Sequence, residues 1–160
     1  MQREESLQRA VGLGYFYLKF RPRTRHEMME YFIKKKDTYK FTDDIIEEAL
    51  QRLEEQKFID DLSFVEWYVA SRSKGKPKSR FALERELSAH GVDKQTLYNY
   101  FSDNELDEEA LAYKAIASRW RIWSRLDTKD RFQKAAAFLM RRGFSFDLIK
   151  KTIAKYEEKK

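Results

Sequence analysis

The chain has 160 residues, a formal net charge of +6, five glycines, two prolines and no cysteine, a composition typical of a folded helical protein. The absence of cysteine excludes disulfides, thiolate nucleophiles and cysteine-based zinc sites. No apolar run approaches the roughly 18 residues that a membrane span needs, and the charged first ten residues do not fit a signal peptide. We therefore expect a cytoplasmic protein with no membrane partner.

Three helices are expected in the first third of the chain. The first covers about residues 5–20, although Gly14 inside it costs about 1 kcal/mol relative to alanine. Thr24 and Glu27 have the spacing of a capping box, which opens the second helix. Thr42 caps the third helix, and its apolar side chains recur at helical spacing.

The stretch from Phe58 to Gly91 carries the clearest pattern. Asp60 and Asp61 are placed to cap a helix and to meet the positive end of its dipole. Phe64 and Tyr68 then lie one turn apart on the apolar face of that helix. This segment therefore predicts a helix that holds the loop following it.

A basic loop with the sequence KGKPK, residues 74–78, follows that helix. Its glycine, proline and like charges cannot continue a packed helix. Ser79 can cap the next helix, in which Leu83 and Leu87 point inward. Gly91 ends this second helix of the middle segment.

The last part of the chain predicts four more helices. They cover about residues 93–101 and 108–123, then a helix capped by Thr128 that ends at Gly143, and a last one capped by Ser145. For the helix over residues 108–123, the candidate inner positions are Ala110, Leu111, Tyr113, Ala117, Trp120 and Trp123.

These nine helices form an internal repeat. RPRTRHEMMEYF, from Arg21, matches KPKSRFALEREL, from Lys76, as basic, proline, basic, Ser/Thr, Arg and an amphipathic helix. We predict an all-α protein of three tandem three-helix repeats, residues 1–57, 58–104 and 105–160. Units of about 50 residues are typical of arrays that stack into an elongated, curved body.

Charge is segregated along this plan. Residues 37–66 contain ten acidic and three basic side chains, whereas residues 114–156 contain twelve basic and three acidic ones. Basic clusters recur once per repeat and would form a stripe in a regular stack. The candidate binding residues are Arg21, Arg23, Arg25, Arg72, Lys74, Lys76, Lys78, Arg80, Arg119, Arg121 and Arg125.

The motifs FIDDLSFVEWYVASRS, LERELSAHGV and FLMRRGFSFDLI, together with the basic loop, resemble the RecX family of recombinase regulators. The resemblance covers about residues 15–153, and it departs from the family pattern at Lys57, where a glycine is usual. It implies binding in the groove of the RecA filament on DNA. It also implies restraint of filament growth, ATP hydrolysis and strand exchange by a monomer that performs no chemistry.

Several alternatives stay open. The basic stripe by itself would suit a helical protein that binds single- or double-stranded DNA without RecA. Arg72 could form an internal ion pair with Asp60 or Asp61, and the three tryptophans could stack on bases but fit packing positions better. His26 and His90 have no metal-ligand spacing, and no phosphate loop is present. We expect no metal, no cofactor and no enzymatic activity.

Overall fold

The computed structural model describes residues 2–159, and every regular element in that range is an α-helix. This confirms the predicted all-α class and the tandem arrangement of three-helix repeats. We refer to α1–α3, α4–α6 and α7–α9 as repeats 1, 2 and 3. The helices are α1 (Gln2–Leu18), α2 (Arg25–Tyr39), α3 (Asp43–Glu55), α4 (Asp61–Gly75), α5 (Arg80–Ala89), α6 (Lys94–Asp103), α7 (Glu108–Trp123), α8 (Thr128–Arg141) and α9 (Phe146–Glu157).

The helix starts follow from capping side chains. The Thr24 hydroxyl accepts from the Glu27 backbone N–H at 3.1 Å, and the Glu27 carboxylate accepts from the Thr24 N–H at 3.1 Å, so the capping box is complete. Ser145 caps α9 as predicted. The prediction for α8 was wrong by one residue, because Asp127 caps it and Thr128 is its first residue. An aspartate carboxylate adds charge to the capping bond at the positive helix end.

Gly14 has a packing role that its helix propensity does not reveal. A Cβ built at this position would lie 2.8 Å from Leu53 Cδ1 and 3.3 Å from Phe32 Cζ. The glycine therefore lets α1 approach α3 closely, with Leu53 and Phe32 both fully buried. Close packing against these side chains offsets the helix-propensity cost of the glycine.

The chain divides into two compact units. One consists of Met1–Trp67 and Leu87–Tyr100, and the other of Tyr68–Glu86 and Phe101–Lys160. Repeat 2 is thus shared between the units. The first unit has a core of side chains from α1, α2, α3 and the residue Ile59, and the second has a core from α7, α8 and α9. The repeat boundaries at residues 57 and 104 stay a prediction.

The inner face of α7 differs from the predicted one. Ala112, Ala115 and Ile116 are its buried residues, whereas Ala110 and Ala117 are exposed. The predicted Leu111, Trp120 and Trp123 are partly buried and pack against this core. Small side chains fill the helix–helix contact because they let the axes approach, and the large rings cover its edge.

One turn recurs after the second helix of every repeat. Phe41 N–H donates to Lys36 O at 3.0 Å, Val92 N–H to Leu87 O at 3.1 Å, and Phe144 N–H to Leu139 O at 3.2 Å. The residue preceding each donor has a positive φ: Lys40 at 57°, Gly91 at 91° and Gly143 at 88°. This is the left-handed helix end that glycine adopts without strain.

A junction joins repeat 1 to repeat 2 within the first unit. The N-terminus of α2 meets the start of α4, where the Arg25 backbone N–H donates to Asp61 Oδ1 at 2.9 Å. It also meets the end of α5, where the Thr24 hydroxyl donates to His90 O at 2.6 Å. Gly91 packs so closely on α2 that an added Cβ would lie 2.3 Å from His26 Cβ.

The second unit contains an equivalent junction between repeats 2 and 3. The Arg80 backbone N–H donates to Glu108 Oε1 at 2.7 Å, and the Ser79 N–H donates to Arg142 O at 3.1 Å. A Cβ added at Gly143 would lie 2.5 Å from Ser79 Oγ. In each junction a carboxylate from the following repeat accepts from a backbone N–H that the helix start leaves unpaired. A carbonyl of the following repeat accepts from the N-cap residue, through the hydroxyl of Thr24 in the first junction and the backbone N–H of Ser79 in the second.

Candidate basic interface

Glu86 organises the basic residues of repeat 2. Lys78 Nζ lies 2.6 Å from Glu86 Oε2, and Arg72 Nε lies 3.4 Å from Glu86 Oε1. The Tyr68 hydroxyl also donates to Glu86, and the Arg72 guanidinium lies over the Tyr68 ring at 4.7 Å. Burial raises the pKa of Glu86, but the bonds from Lys78 and Tyr68 outweigh burial, so the pKa lies below its ordinary value. The ion pair considered for Arg72 therefore forms with Glu86, not with Asp60 or Asp61.

The other cations in or next to the basic loop differ in whether a carboxylate neutralises them. Arg80 Nε pairs with Glu84 at 3.1 Å, one helical turn away, and its guanidinium lies over the Phe101 ring at 5.1 Å. Lys74 and Lys76 are exposed. Across residues 2–159 neither lysine has a carboxylate within ion-pair distance. These two side chains are therefore available to a partner.

The basic residues of repeat 1 are occupied by neighbours in the same unit. Arg21 pairs with Glu27 at 2.6 Å, and Arg25 bridges two carboxylates of α3, at 2.6 and 2.8 Å. Arg23 Nε donates to Tyr17 O, and its guanidinium stacks 3.7 Å from the Tyr17 ring centre. These three arginines make contacts within their own unit, and a partner would have to compete with those contacts.

The predicted basic residues of repeat 3 lie on or just after α7. Arg119, Arg121 and Arg125 are all exposed, and no described carboxylate forms an ion pair with any of them. Arg119 lies over the Phe138 ring at 5.5 Å. Repeat 3 thus keeps more uncompensated positive charge than repeats 1 and 2.

Sequence reasoning missed the residues that complete this basic surface. Lys134 and Arg141 line a groove of about 590 Å³ together with Arg119 and Trp123. The Arg142 guanidinium lies over the Phe138 ring, 4.5 Å from its centre. Burial, then the charges of Arg119 and Arg141, lower the pKa of Arg142. The high density of basic residues after position 114 was the available signal, but only the fold shows which of them share a groove.

The two capping aspartates have separate roles. Asp60 Oδ1 accepts from the backbone N–H groups of Leu62 and Ser63 at 3.1 and 3.4 Å, which caps α4. Asp61 was expected to cap the same helix, but its carboxylate accepts from Arg25 at the start of α2. Burial raises the pKa of Asp61, although the Arg25 N–H acts in the opposite direction. Asp61 is thus a residue of the junction between repeats.

The predicted packing residues lie inside. Phe64, Tyr68, Leu83 and Leu87 are all buried. The apolar faces of α4 and α5 therefore point inward, as predicted for these four residues. Within residues 2–159, no three His, Asp or Glu side chains group in a way that could hold a metal ion, and no helix is long and apolar enough to cross a bilayer.

Comparison with known proteins bears on this arrangement. Residues 60–97 match the family model of the second three-helix domain of RecX, and residues 107–153 match that of the third. A protein named Regulatory protein RecX from Chlorobium phaeobacteroides is 32% identical over 145 residues, covering 91% of this chain and 91% of its own. The chain belongs to the RecX family.

Other RecX proteins are similar over most of this chain. The one from Bacillus velezensis is 30% identical over 98% of the chain, and the one from Bacillus subtilis 29% identical over 93%. The chain spans only 59% and 55% of the length of these two relatives. In fold, it is similar to the crystal structure of RecX from Lactobacillus salivarius, with a TM-score of 0.78 at 20% identity, over 96% of this chain and 98% of the other.

Proposed function

We propose that this protein is a regulator that binds the RecA filament on DNA and restrains its ATP hydrolysis, filament growth and strand exchange. The observation that carries the proposal is membership of a family whose relatives are named Regulatory protein RecX. The uncompensated cations of repeats 2 and 3 support it, since both nucleic-acid phosphates and acidic protein surfaces attract them. The regulator would act in the cytoplasm, as a monomer and without a cofactor.

The exposed lysines of the basic loop offer the cleanest test of contact. Reversing Lys74 and Lys76 to glutamate leaves the Glu86 ion pairs intact, so helical circular dichroism should not change. Lost phosphate or carboxylate contacts of this kind should weaken filament co-sedimentation by about tenfold or more. Reversing Lys34 and Lys40, two exposed lysines of repeat 1 outside the predicted interface, is the matched control.

The decisive measurement is the rate of ATP hydrolysis by RecA on single-stranded DNA with increasing amounts of this protein. We expect the rate to fall and the protein to sediment with the filament. Unchanged hydrolysis together with no co-sedimentation would contradict the proposal. Increased hydrolysis with co-sedimentation would keep the partner and reverse the direction of regulation.

A second candidate is a helical DNA-binding protein that acts without RecA. Arg119, Arg121 and Arg125 favour it, because exposed arginines without a carboxylate partner in the described residues suit phosphate binding. Affinity for bare DNA and for the filament, compared at one near-physiological salt concentration, distinguishes the two. Tight binding to bare duplex with no preference for the filament would support the second candidate.

A further inference from the structure

The second helix of each repeat carries a different type of side chain at one equivalent position, which lies next to the first helix of that repeat. The register follows from the N-caps Thr24, Ser79 and Asp127, each of which accepts from the backbone N–H three residues later. Seven residues after these caps stand Tyr31, Glu86 and Lys134. These three side chains therefore occupy equivalent places on α2, α5 and α8.

Repeats 1 and 2 each close this position with a contact of their own. In repeat 1, Tyr31 stacks on Tyr17 with ring centres 4.1 Å apart and planes 6° from parallel. In repeat 2, Glu86 binds Arg72 and Lys78. One filling is apolar and the other is a charge-compensated cluster, and both satisfy the groups involved.

Repeat 3 leaves the same position uncompensated. Lys134 stands where repeat 2 has Glu86, and Arg119 stands where repeat 2 has Arg72, since Ala117-Ser118-Arg119 corresponds to Ala70-Ser71-Arg72. Two cations thus replace an ion pair. Both line the groove of about 590 Å³ between α7 and α8, with Arg141 adding a third cation.

The composition of the groove shows what would complete it. Asp130 is the single acidic residue among its lining side chains, and Trp123, Leu126 and Phe138 give it an apolar wall. None of Arg119, Lys134 and Arg141 has a carboxylate within ion-pair distance in residues 2–159. An occupant therefore needs negative charge for the cations and apolar surface for the wall.

We propose that this groove binds an acidic segment of a protein partner, with a carboxylate of that segment paired to Arg119 and Lys134, as Glu86 is paired to Arg72 and Lys78 in repeat 2. Glu86 is the model for the bound group, because its carboxylate pairs with a lysine and with Arg72, the counterpart of Arg119. In repeat 3 a lysine fills the position of Glu86, so the carboxylate has to come from a partner. An apolar side chain next to the carboxylate would pack on Trp123. Hydrogen bonds from Arg and Lys to a carboxylate are charge-assisted and stronger than those between neutral groups.

This inference rests on the proposed function in one respect, since it assigns the groove to the protein part of the filament and not to its DNA. The binding test needs no filament, so the two claims can fail separately. Filament binding without groove binding would overturn the inference alone. Groove binding without filament binding would overturn the proposed function alone.

The probe is a capped peptide that repeats Glu-Glu-Leu, and its control is the same peptide with Gln in place of Glu. Binding is followed by the fluorescence of Trp123 in a chain in which Trp67 and Trp120 are replaced by Phe. We expect a saturable change with the acidic peptide and at least about tenfold weaker binding of the Gln peptide. Equal affinity for both peptides would contradict a charged site.

The sharpest variant is Lys134→Glu. It recreates the charge pattern of repeat 2 next to Arg119, so the protein should fold with unchanged or higher thermal stability while peptide affinity falls about tenfold or more. Lys150→Glu is the matched control, because Lys150 is exposed on α9 outside the groove and carries the same charge change. Equal losses from both variants would overturn the proposal.

The competing occupant is nucleic acid, tested with oligothymidylate under the same conditions. The proposal expects oligothymidylate to leave Trp123 unaffected, or to bind equally to the parent chain and to Lys134→Glu. Tighter binding of oligothymidylate than of the peptide, with the loss confined to Lys134→Glu, would assign the groove to single-stranded nucleic acid instead.

Discussion

The two junctions between successive repeats share a backbone plan but differ in side-chain chemistry. In the first, the Thr24 hydroxyl reaches the carbonyl of His90, while in the second the Ser79 backbone N–H reaches the carbonyl of Arg142. A carboxylate meets the helix N-terminus in both, from Asp61 in one and Glu108 in the other. The array therefore depends on satisfying the N–H groups of a helix start, and several polar side chains can do so.

The two junctions also share a glycine at the turn. Gly91 and Gly143 have a positive φ and also stand where the backbone of the next repeat touches the preceding one. Lys40 shows that the turn alone does not require glycine, because it adopts the same left-handed conformation with an exposed side chain. Close packing at the junction, added to the turn, is what excludes a Cβ.

Replacing the junction glycines should have the largest effect on stability. Gly91→Ala and Gly143→Ala combine a left-handed alanine, costing about 1–2 kcal/mol, with overpacking of about 1–3 kcal/mol. We expect each to lower the free energy of unfolding by about 2–5 kcal/mol, measured by urea denaturation. Lys40→Ala is the control and should stay within about 0.5 kcal/mol. A loss at Gly91 no larger than at Lys40 would show that the junction tolerates a Cβ.

Glu86→Gln would sharpen the contrast between repeats 2 and 3. Losing the charge-assisted bonds to Lys78 and Arg72 should lower the free energy of unfolding by about 1–2 kcal/mol. The same change releases both cations, so filament binding should become tighter and more sensitive to salt. Denaturation and co-sedimentation at two salt concentrations check both parts. Tighter binding would not be expected if Arg72 and Lys78 only stabilise the fold.

Lys57→Gly should produce a moderate gain in stability. Lys57 has a φ of 65° at the end of α3, where Phe58 N–H donates to Leu53 O at 2.9 Å. Glycine adopts this left-handed conformation without the Cβ penalty, so the free energy of unfolding should rise by about 1 kcal/mol. Lys57→Ala keeps the penalty and serves as the control. An equal gain from both substitutions would point to charge, not backbone strain.

The smallest expected effect concerns pH and has opposite signs at two carboxyls of the first junction. The pKa of Asp61 is raised by burial, so its stabilisation is present at low pH and is lost as the pH rises through the folded-state pKa. For Glu27, burial raises the pKa, but the hydrogen bonds from Arg21 and His90 outweigh burial. The pKa of Glu27 therefore lies below its ordinary value. Its contribution is present above the unfolded-state pKa and is lost as the pH falls through the folded-state value.

Urea denaturation of Asp61→Asn and Glu27→Gln across acidic pH tests these signs. From acid towards neutral pH, the parent chain should lose stability relative to Asp61→Asn and gain stability relative to Glu27→Gln. Slopes of the same sign for the two variants would contradict the assignment of Asp61 as a partly buried junction carboxyl with a raised pKa.

Much of the fold could be read from the chain because the signals are local. A threonine three residues before a glutamate, a serine before an apolar stripe and a glycine after one each act within a single helical turn, so the helices and their repeat were predictable. The buried face of α7 was not predictable, because Ala112, Ala115 and Ile116 are buried only where neighbouring helices pack closely against α7. The periodicity of apolar residues in the sequence predicts a large ring such as Trp123 at the buried face more readily than an alanine.

The binding residues divide in the same way. The sequence determined that basic side chains recur in each repeat and that Gly91 and Gly143 end helices. Only the tertiary structure decided which cations are compensated, because Glu86 lies 14 residues from Arg72 along the chain but shares a cluster with it. It also decided that Asp61 accepts a hydrogen bond from the start of α2 and that Lys134 lines a groove. Charge is fixed by composition, whereas its neutralisation depends on which side chains the packing brings within a few ångströms.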